Sequence, residues 1–346
     1  MRYTDLYLSD LELAQKSVPN LGKLNHTKIL ITGAGGLIGS ALADFLMVLN
    51  DTKDAENTVF LGARDAGKLR VRFGERINRN DMVCFPYDAE KPICTEELFD
   101  YVIHAASPAT PGAYVVSPVE TMLANFDGMK HVLSYAKEHG TRRVLYVSSS
   151  EVYGRKEGTE PYCETDYGFV DLLNPRACYP TAKRAAETLC AAYSKEYGVD
   201  SVIVRPGHVY GPTARETDDR ASSQFLREAA QGHDIVMKSA GTQMRSYCYA
   251  ADCASSMLAV LLNGVCAEAY NISNPNSIVT IRQFAECAAA CAGRKVVFSD
   301  PSDAEKSGYN LMDNSSLDSG KIEALGWHGQ FDLTAGIRRT LEELQE

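Results

Sequence analysis

The stretch KILITGAGGLIGSALADFLMVL, Lys28–Leu49, decides the fold. Ile29, Leu30, Ile31 and Thr32 are apolar or β-branched, a short run of the kind that forms a strand buried on both faces. Gly33, Gly36 and Gly39 follow at GxxGxxG spacing, and a helix-length apolar segment comes next. Small residues there let the turn close and let a pyrophosphate approach the backbone. The helix N-terminus then offers unpaired N–H groups and a positive dipole. The spacing alone would also suit a plain tight turn. Set between a strand and a helix, it points to dinucleotide binding, with contacts at Gly33, Gly36, Leu37, Ile38 and Gly39.

The same texture continues outward. NTVFLGA, MVCFPYDAE, FDYVIHAAS, RRVLYVSSS and DSVIVRPGHVYGP read as further strands. Between them, PVETMLANFDGMKHVLSYAKEHG and YPTAKRAAETLCAAYSKEYG read as helices ended by Gly140 and Gly198. Strands alternating with amphipathic helices imply an α/β fold, a Rossmann doubly wound parallel sheet. Beyond Gly211 the texture becomes polar and irregular. The expected organisation is an N-terminal extension over 1–26, a dinucleotide-binding domain over 27–206, and a smaller C-terminal α/β substrate-binding lobe over 207–346 with segments returning to the main sheet. In the extension, Ser9 or Asp10 is placed to cap a helix over LELAQK.

The 346 residues carry a net charge of -10, which argues against nucleic acid and anionic membrane surfaces as partners. The N-terminus lacks the basic and apolar regions of a signal peptide, and no apolar run reaches the length of a membrane span. Ten scattered cysteines without a CxxC pair suit reduced thiols and a cytoplasmic location. Cys287 and Cys291 lie one helical turn apart but lack partner ligands, so no metal site is expected.

Two further regions carry chemistry. At the end of the second strand, VFLGARDAGK has Gly62 where an acid would hold the adenosine ribose. Arg64 can instead hold a 2′-phosphate, which would mean NADP; Asp65 can alternatively reach the ribose, or Arg64 and Lys68 are solvated loop charges. Asp88 is a candidate adenine contact or a turn former. Tyr179 and Lys183 lie at i, i+4 on one helix face, one βα unit after Ser148-Ser149-Ser150-Glu151. A tyrosine is a poor base at its ordinary pKa of about 10, and a neighbouring lysine ammonium and a cationic nicotinamide ring would both favour its phenolate. A serine hydroxyl beside it would hold the reacting oxygen while a cofactor takes the hydride.

TGAGGLIGS, HAAS, SSSEVYG, YPTAK, RPGHVYGP and RSYCYAADCA occur in this order, and the chain resembles the extended short-chain dehydrogenase/reductase family over about residues 27–345. Among its nucleotide-sugar enzymes it looks most like the UDP-glucuronate decarboxylases, through HAASPATP, SSSEVYG and PRACY. The resemblance implies Ser149 at the catalytic Ser/Thr position, Tyr179 as base, Lys183 as its support and Arg245 as a sugar-nucleotide contact, with Asn125 structural. It also implies cofactor contact at Ala105, substrate contacts at Ser107, Ser150, Arg176 and His208, a nucleotide-sugar substrate, and a homodimer through helices around 115–138 and 180–197. These enzymes oxidise the sugar at C4 and generally retain NAD, which makes NAD the expected cofactor. Ser150 replaces the Asp of the 4,6-dehydratases. Glu151 keeps decarboxylation ahead of 4-epimerisation and of NADP-dependent keto-sugar reduction, unless it merely pairs with a loop N–H. His208 departs from the common Asn and either contacts substrate or fills the strand end.

Overall fold

The computed structural model describes residues 3–109, 111–300 and 312–345. Its strands are β1 (Lys28–Thr32), β2 (Thr58–Ala63), β3 (Met82–Pro86), β4 (Tyr101–His104), β5 (Arg143–Val147), β6 (Ser201–Pro206), β7 (His208–Tyr210), β8 (Ile235–Met237), β9 (Met244–Tyr249), β10 (Ala269–Ile272), β11 (Ile278–Thr280), β12 (Val296–Phe298) and β13 (Asn314–Ser315). The helices are α1 (Asp5–Gln15), α2 (Leu37–Lys53), α3 (Ala66–Phe73), α4 (Pro111–Val116), α5 (Pro118–His139), α6 (Cys178–Tyr197), α7 (Ala221–Ala230), α8 (Ala250–Asn263), α9 (Ile281–Cys291), α10 (Gly320–Glu323) and α11 (Leu333–Gln345).

Among the described residues the main sheet has seven strands in the order β3-β2-β1-β4-β5-β6-β10, all parallel. Its side chains alternate between two cores. Ile29 and Ile31 of β1 join the cluster built with Phe45 of α2 and Met257 of α8. Leu30, between them, joins Val102, Val132 of α5 and Ala186 of α6. Period-two alternation with both faces apolar is what a sheet sandwiched between helix layers requires.

The expected sixth strand is two strands. β6 belongs to the main sheet, whereas β7 pairs with β9 in a second sheet ordered β11-β9-β13. Gly207 makes the crossing: a Cβ there would lie 2.5 Å from the Ser246 carbonyl oxygen. β8 and β12 form a separate parallel pair.

The N-terminal helix also starts earlier than expected. Thr4, not Ser9 or Asp10, caps α1, its hydroxyl accepting from Tyr7 N. Ser9 instead donates to Leu6 O at 2.7 Å. Asp10 is needed in the interior, where it accepts from Tyr249 Oη (2.9 Å) and pairs with Arg339 of α11. Tyr3 and Tyr7 donate to Asp44 of α2 at 2.6 and 2.9 Å, and Asp44 pairs with Arg72 of α3. This segment is thus packed into the body by buried polar contacts. Among the described residues no helix is long and apolar enough to cross a membrane.

Candidate active site

The strand order reverses between β1 and β4, and the crevice beyond their C-terminal ends is where open parallel sheets take ligands. Gly33 has φ +72°, and a Cβ on it would lie 2.7 Å from Ala106 Cα and 2.8 Å from Ala105 O. The backbone of the HAAS segment therefore presses on the glycine turn, which places Ala105 beside the loop. Gly36 is the N-cap of α2 and has no side chain to cap it, so the first-turn amides around Leu37, Ile38 and Gly39 face the crevice mouth unblocked. This cradle fits a dinucleotide pyrophosphate.

On the β2 side, Arg64 is exposed. Asp65 is committed elsewhere: Oδ1 accepts from Gly67 N at 2.8 Å and caps α3. Asp88 accepts from Glu90 N at 3.2 Å and lies 3.6 Å from Lys91, the contacts of a turn residue.

The opening of α6 brings the second group together. Asn174 caps a 3-10 turn, Pro175–Ala177, that runs into α6, so Pro180 falls in the helix's first turn where its missing N–H costs nothing. Tyr179 and Lys183 are buried. Ser149 caps the turn Ser150–Tyr153, its Oγ accepting from Glu151 N at 3.2 Å. Ser149 and Tyr114 of α4 both lie near enough to Tyr179 to favour its phenolate, and the Tyr114 ring stacks on that of Tyr179 at 4.6 Å. Ser148 points away and donates to Glu187 at 2.6 Å, while Arg205 grips the same carboxylate at 3.0 and 2.7 Å. Ser150 is buried. Ser107 donates to Asn125 Oδ1 at 2.8 Å, and Asn125 donates in turn to Thr121 O.

The electrostatics differ from the expected lowering of the Tyr179 pKa. Burial pushes it up to about 12, helped by the charge of Glu151; the Ser149 and Tyr114 hydrogen bonds and the Arg220 charge pull the other way and lose. Lys183 does not offset this, because burial pushes it down to about 7 against the favourable field of Glu187 and Cys190. Its ammonium donates to Val147 O at 2.8 Å and lies 4.8 Å from the centre of the Tyr146 ring.

Glu151 is not a loop carboxylate bound to backbone. Both its oxygens accept from Arg176, at 3.0 Å each, and Arg176 lies 4.6 Å above the Tyr114 ring. Across the crevice, Arg245 is buried yet has no carboxylate partner among the described residues; Nη1 donates to Met244 O at 2.8 Å. His208 packs on Tyr247, and its buried Nδ1 has no partner among the described residues. Burial, with the charges of Arg245 and Arg220, drops its pKa to about 3, so it is neutral. Tyr114 and Arg220 were not foreseen. PGAY and DDRAS carry no periodicity or spacing that marks a site, and only the folded chain brings them to Tyr179. The arrangement can hold a hydroxyl between Ser149 and Tyr179 and receive an anion at Arg245.

Residues 29–273 match the model of the NAD dependent epimerase/dehydratase family. UDP-glucuronic acid decarboxylase 1 of Xenopus tropicalis is 32% identical over 322 residues, covering 93% of this chain and 73% of its own. UDP-glucuronic acid decarboxylase 6 of Arabidopsis thaliana is 32% identical over 319 residues, 90% of this chain and 87% of its own. In fold, the UDP-glucuronic acid 4-epimerase of Bacillus cereus, solved with UDP-glucuronic acid and NAD, is similar at TM-score 0.77 and 21% identity, over 92% of this chain and 99% of that one. With a match that runs from the central strand β1 to the last strand of the main sheet, the chain belongs to the NAD dependent epimerase/dehydratase family, within the extended short-chain dehydrogenase/reductases.

Proposed function

We propose that the chain is a UDP-glucuronate decarboxylase that forms UDP-xylose. The observation that carries this reading is Arg245: a buried guanidinium without a carboxylate partner among the described residues, close enough to Glu151 to feel its charge. An unpaired buried charge is costly, so such a site calls for an anion from the ligand. The likeness to the two decarboxylases, across most of both chains, supports a hexuronic acid as that anion's source.

In this reading Gly33, Gly36, Leu37, Ile38, Gly39 and Ala105 hold the pyrophosphate side of a nicotinamide dinucleotide, and Lys183 holds its ribose. Bound there, that cofactor supplies a hydride acceptor and returns the same hydride. Tyr179 Oη takes the C4 hydroxyl proton while Ser149 Oγ fixes that oxygen. Once C4 is a ketone, the C5 carboxylate is β to it. The C5–C6 bond then breaks, carbon dioxide leaves, and the electron pair passes into an enolate whose oxygen rests on Ser149 and Tyr179. Proton delivery to C5 and reduction at C4 complete a pentose. Arg245 orients the carboxylate or diphosphate, Glu151 with Arg176 lines the sugar pocket beside Ser150 and Ser107, and neutral His208 offers its free nitrogen to the sugar or diphosphate.

A second copy pairing through α5 and α6 completes the proposal; exposed Val115, Val116, Val119, Met122 and Leu123 at the start of this face support it. A cytoplasmic setting suits the ten free cysteines. The test is to incubate the purified chain with UDP-glucuronate and, separately, UDP-glucose. Carbon dioxide and a UDP-pentose from the acid alone are expected. Interconversion of hexoses without carbon dioxide would make it a 4-epimerase, and net consumption of reduced dinucleotide a keto-sugar reductase.

A further inference from the structure

The turn that carries Ser149 and Glu151 is held at both ends by one buried ion pair. Arg205 of β6 grips Glu187 of α6 with two hydrogen bonds, Nε to Oε1 at 3.0 Å and Nη2 to Oε2 at 2.7 Å, and the two side chains are 4% and 11% exposed. Ahead of the turn, Ser148 Oγ donates to Glu187 Oε1 at 2.6 Å. Behind it, Tyr153 Oη accepts from Arg205 Nη1 at 3.0 Å and donates to Asn271 Oδ1 of β10 at 2.6 Å. The four residues from Ser149 to Val152 thus form a bridge whose two feet rest on Glu187 and Arg205.

The same pair ties the bridge to α6. Tyr179, Lys183 and Glu187 follow at four-residue steps along one face of that helix. Lys183 donates to Val147 O at 2.8 Å, and Glu187 receives the hydroxyl of the next residue, Ser148, so α6 grips the end of β5 at two successive residues. Packing alone does not call for charges here. Tyr146 of β5, Ile203 of β6, and Ala186 and Cys190 of α6 already share an apolar cluster, and a buried ion pair can often be exchanged for apolar side chains without loss of stability. What a forked guanidinium–carboxylate pair adds is direction. Each partner fixes the plane of the other, and their remaining hydrogen bonds then fix the two hydroxyls.

We propose that Glu187 and Arg205 are positioning residues for catalysis, whose ion pair sets Ser149 Oγ beside Tyr179 by clamping Ser148 and Tyr153 at the two ends of the turn. The inference rests on the roles given above to Ser149 and Tyr179. Displacing a reacting group by an ångström can cost about 10²-fold in rate, which is what the clamp prevents.

The test uses the full chain. Ser148→Ala and Tyr153→Phe each release one end of the turn, and each should lower kcat about tenfold with KM for UDP-glucuronate within about twofold of wild type. The combined variant Ser148→Ala, Glu187→Leu, Arg205→Met replaces the clamp with apolar side chains. Its denaturation midpoint should stay near that of wild type while kcat falls about 10²-fold. Amide hydrogen exchange, measured without substrate, should quicken over Ser150–Tyr153 in all three variants and leave α6 as protected as before. Wild-type kcat in both single variants, or unchanged exchange over the turn, would overturn the proposal. So would a kcat that falls only in step with the denaturation midpoint, since that marks a merely structural pair. A wild type that does not turn over UDP-glucuronate would overturn the decarboxylase reading instead, and the exchange rates would still decide for or against the clamp.

Discussion

Lys183→Met in the dinucleotide-free chain should have a pH-dependent effect on stability. Burial pushes Lys183 from 10.5 to about 7 in the folded protein. Between those values the unfolded chain holds the Lys183 proton and the folded chain does not, so this residue makes wild-type stability rise with pH. At about 1.4 kcal/mol per pH unit, the whole drop corresponds to about 5 kcal/mol, and the part between about pH 7 and pH 9.5 to about 3 kcal/mol. Methionine removes that dependence. It also removes the bond to Val147 O, but that loss is the same at every pH. The variant should therefore compare best with wild type at and below about pH 7 and lose about 3 kcal/mol of that relative standing by about pH 9.5. Denaturant midpoints of both proteins across this window measure the difference, in which all other titrating groups cancel. A difference that stays flat would refute the reasoning, because it would mean that Lys183 keeps its proton in the buried site.

Further outcomes are expected. Tyr179→Phe should lower kcat about 10²–10⁴-fold while dinucleotide stays bound, as checked by turnover assay and by identifying the dinucleotide released on denaturation. Arg245→Met should lower kcat/KM for UDP-glucuronate about 10²-fold or more and yet raise the denaturation midpoint, because it removes a buried cation that has no carboxylate partner among the described residues. Glu151→Gln removes a charge that raises the Tyr179 pKa, so the limb of the pH–rate profile set by Tyr179 should move to lower pH, whatever happens to the maximal rate. Asp44→Ala should cost about 3–5 kcal/mol of stability by leaving Arg72 buried and unpaired, measured by chemical denaturation.

The sheet was legible because its strands are buried on both faces, so near-continuous apolar runs such as Ile29–Thr32 announce themselves against amphipathic helices. Pro180 and Gly198 bounded α6 correctly for local reasons, the one tolerated in a first turn and the other in a left-handed C-cap. What failed was decided by distant contacts. Gly207 splits an apolar stretch between two sheets because Ser246 crosses beside it. Asp10 looked like a cap but answers to Arg339, hundreds of positions away in the chain. In the candidate site, residue types and spacing picked out Tyr179, Lys183 and Ser149. They did not reveal that Glu151 is engaged by Arg176, or that burial outweighs the influence of Ser149, Tyr114 and Arg220 in setting the Tyr179 pKa. Those outcomes depend on depth and on side-chain direction, which a linear pattern does not encode.

The central claim is tested most directly with UDP-glucuronate labelled at its carboxyl carbon, followed by NMR with the purified chain and a dinucleotide present in less than molar proportion to the sugar. Label should leave the sugar as carbon dioxide and bicarbonate in step with the appearance of a UDP-pentose, through many turnovers per dinucleotide. Retention of the label in a six-carbon sugar, even one altered at C4, would contradict the account.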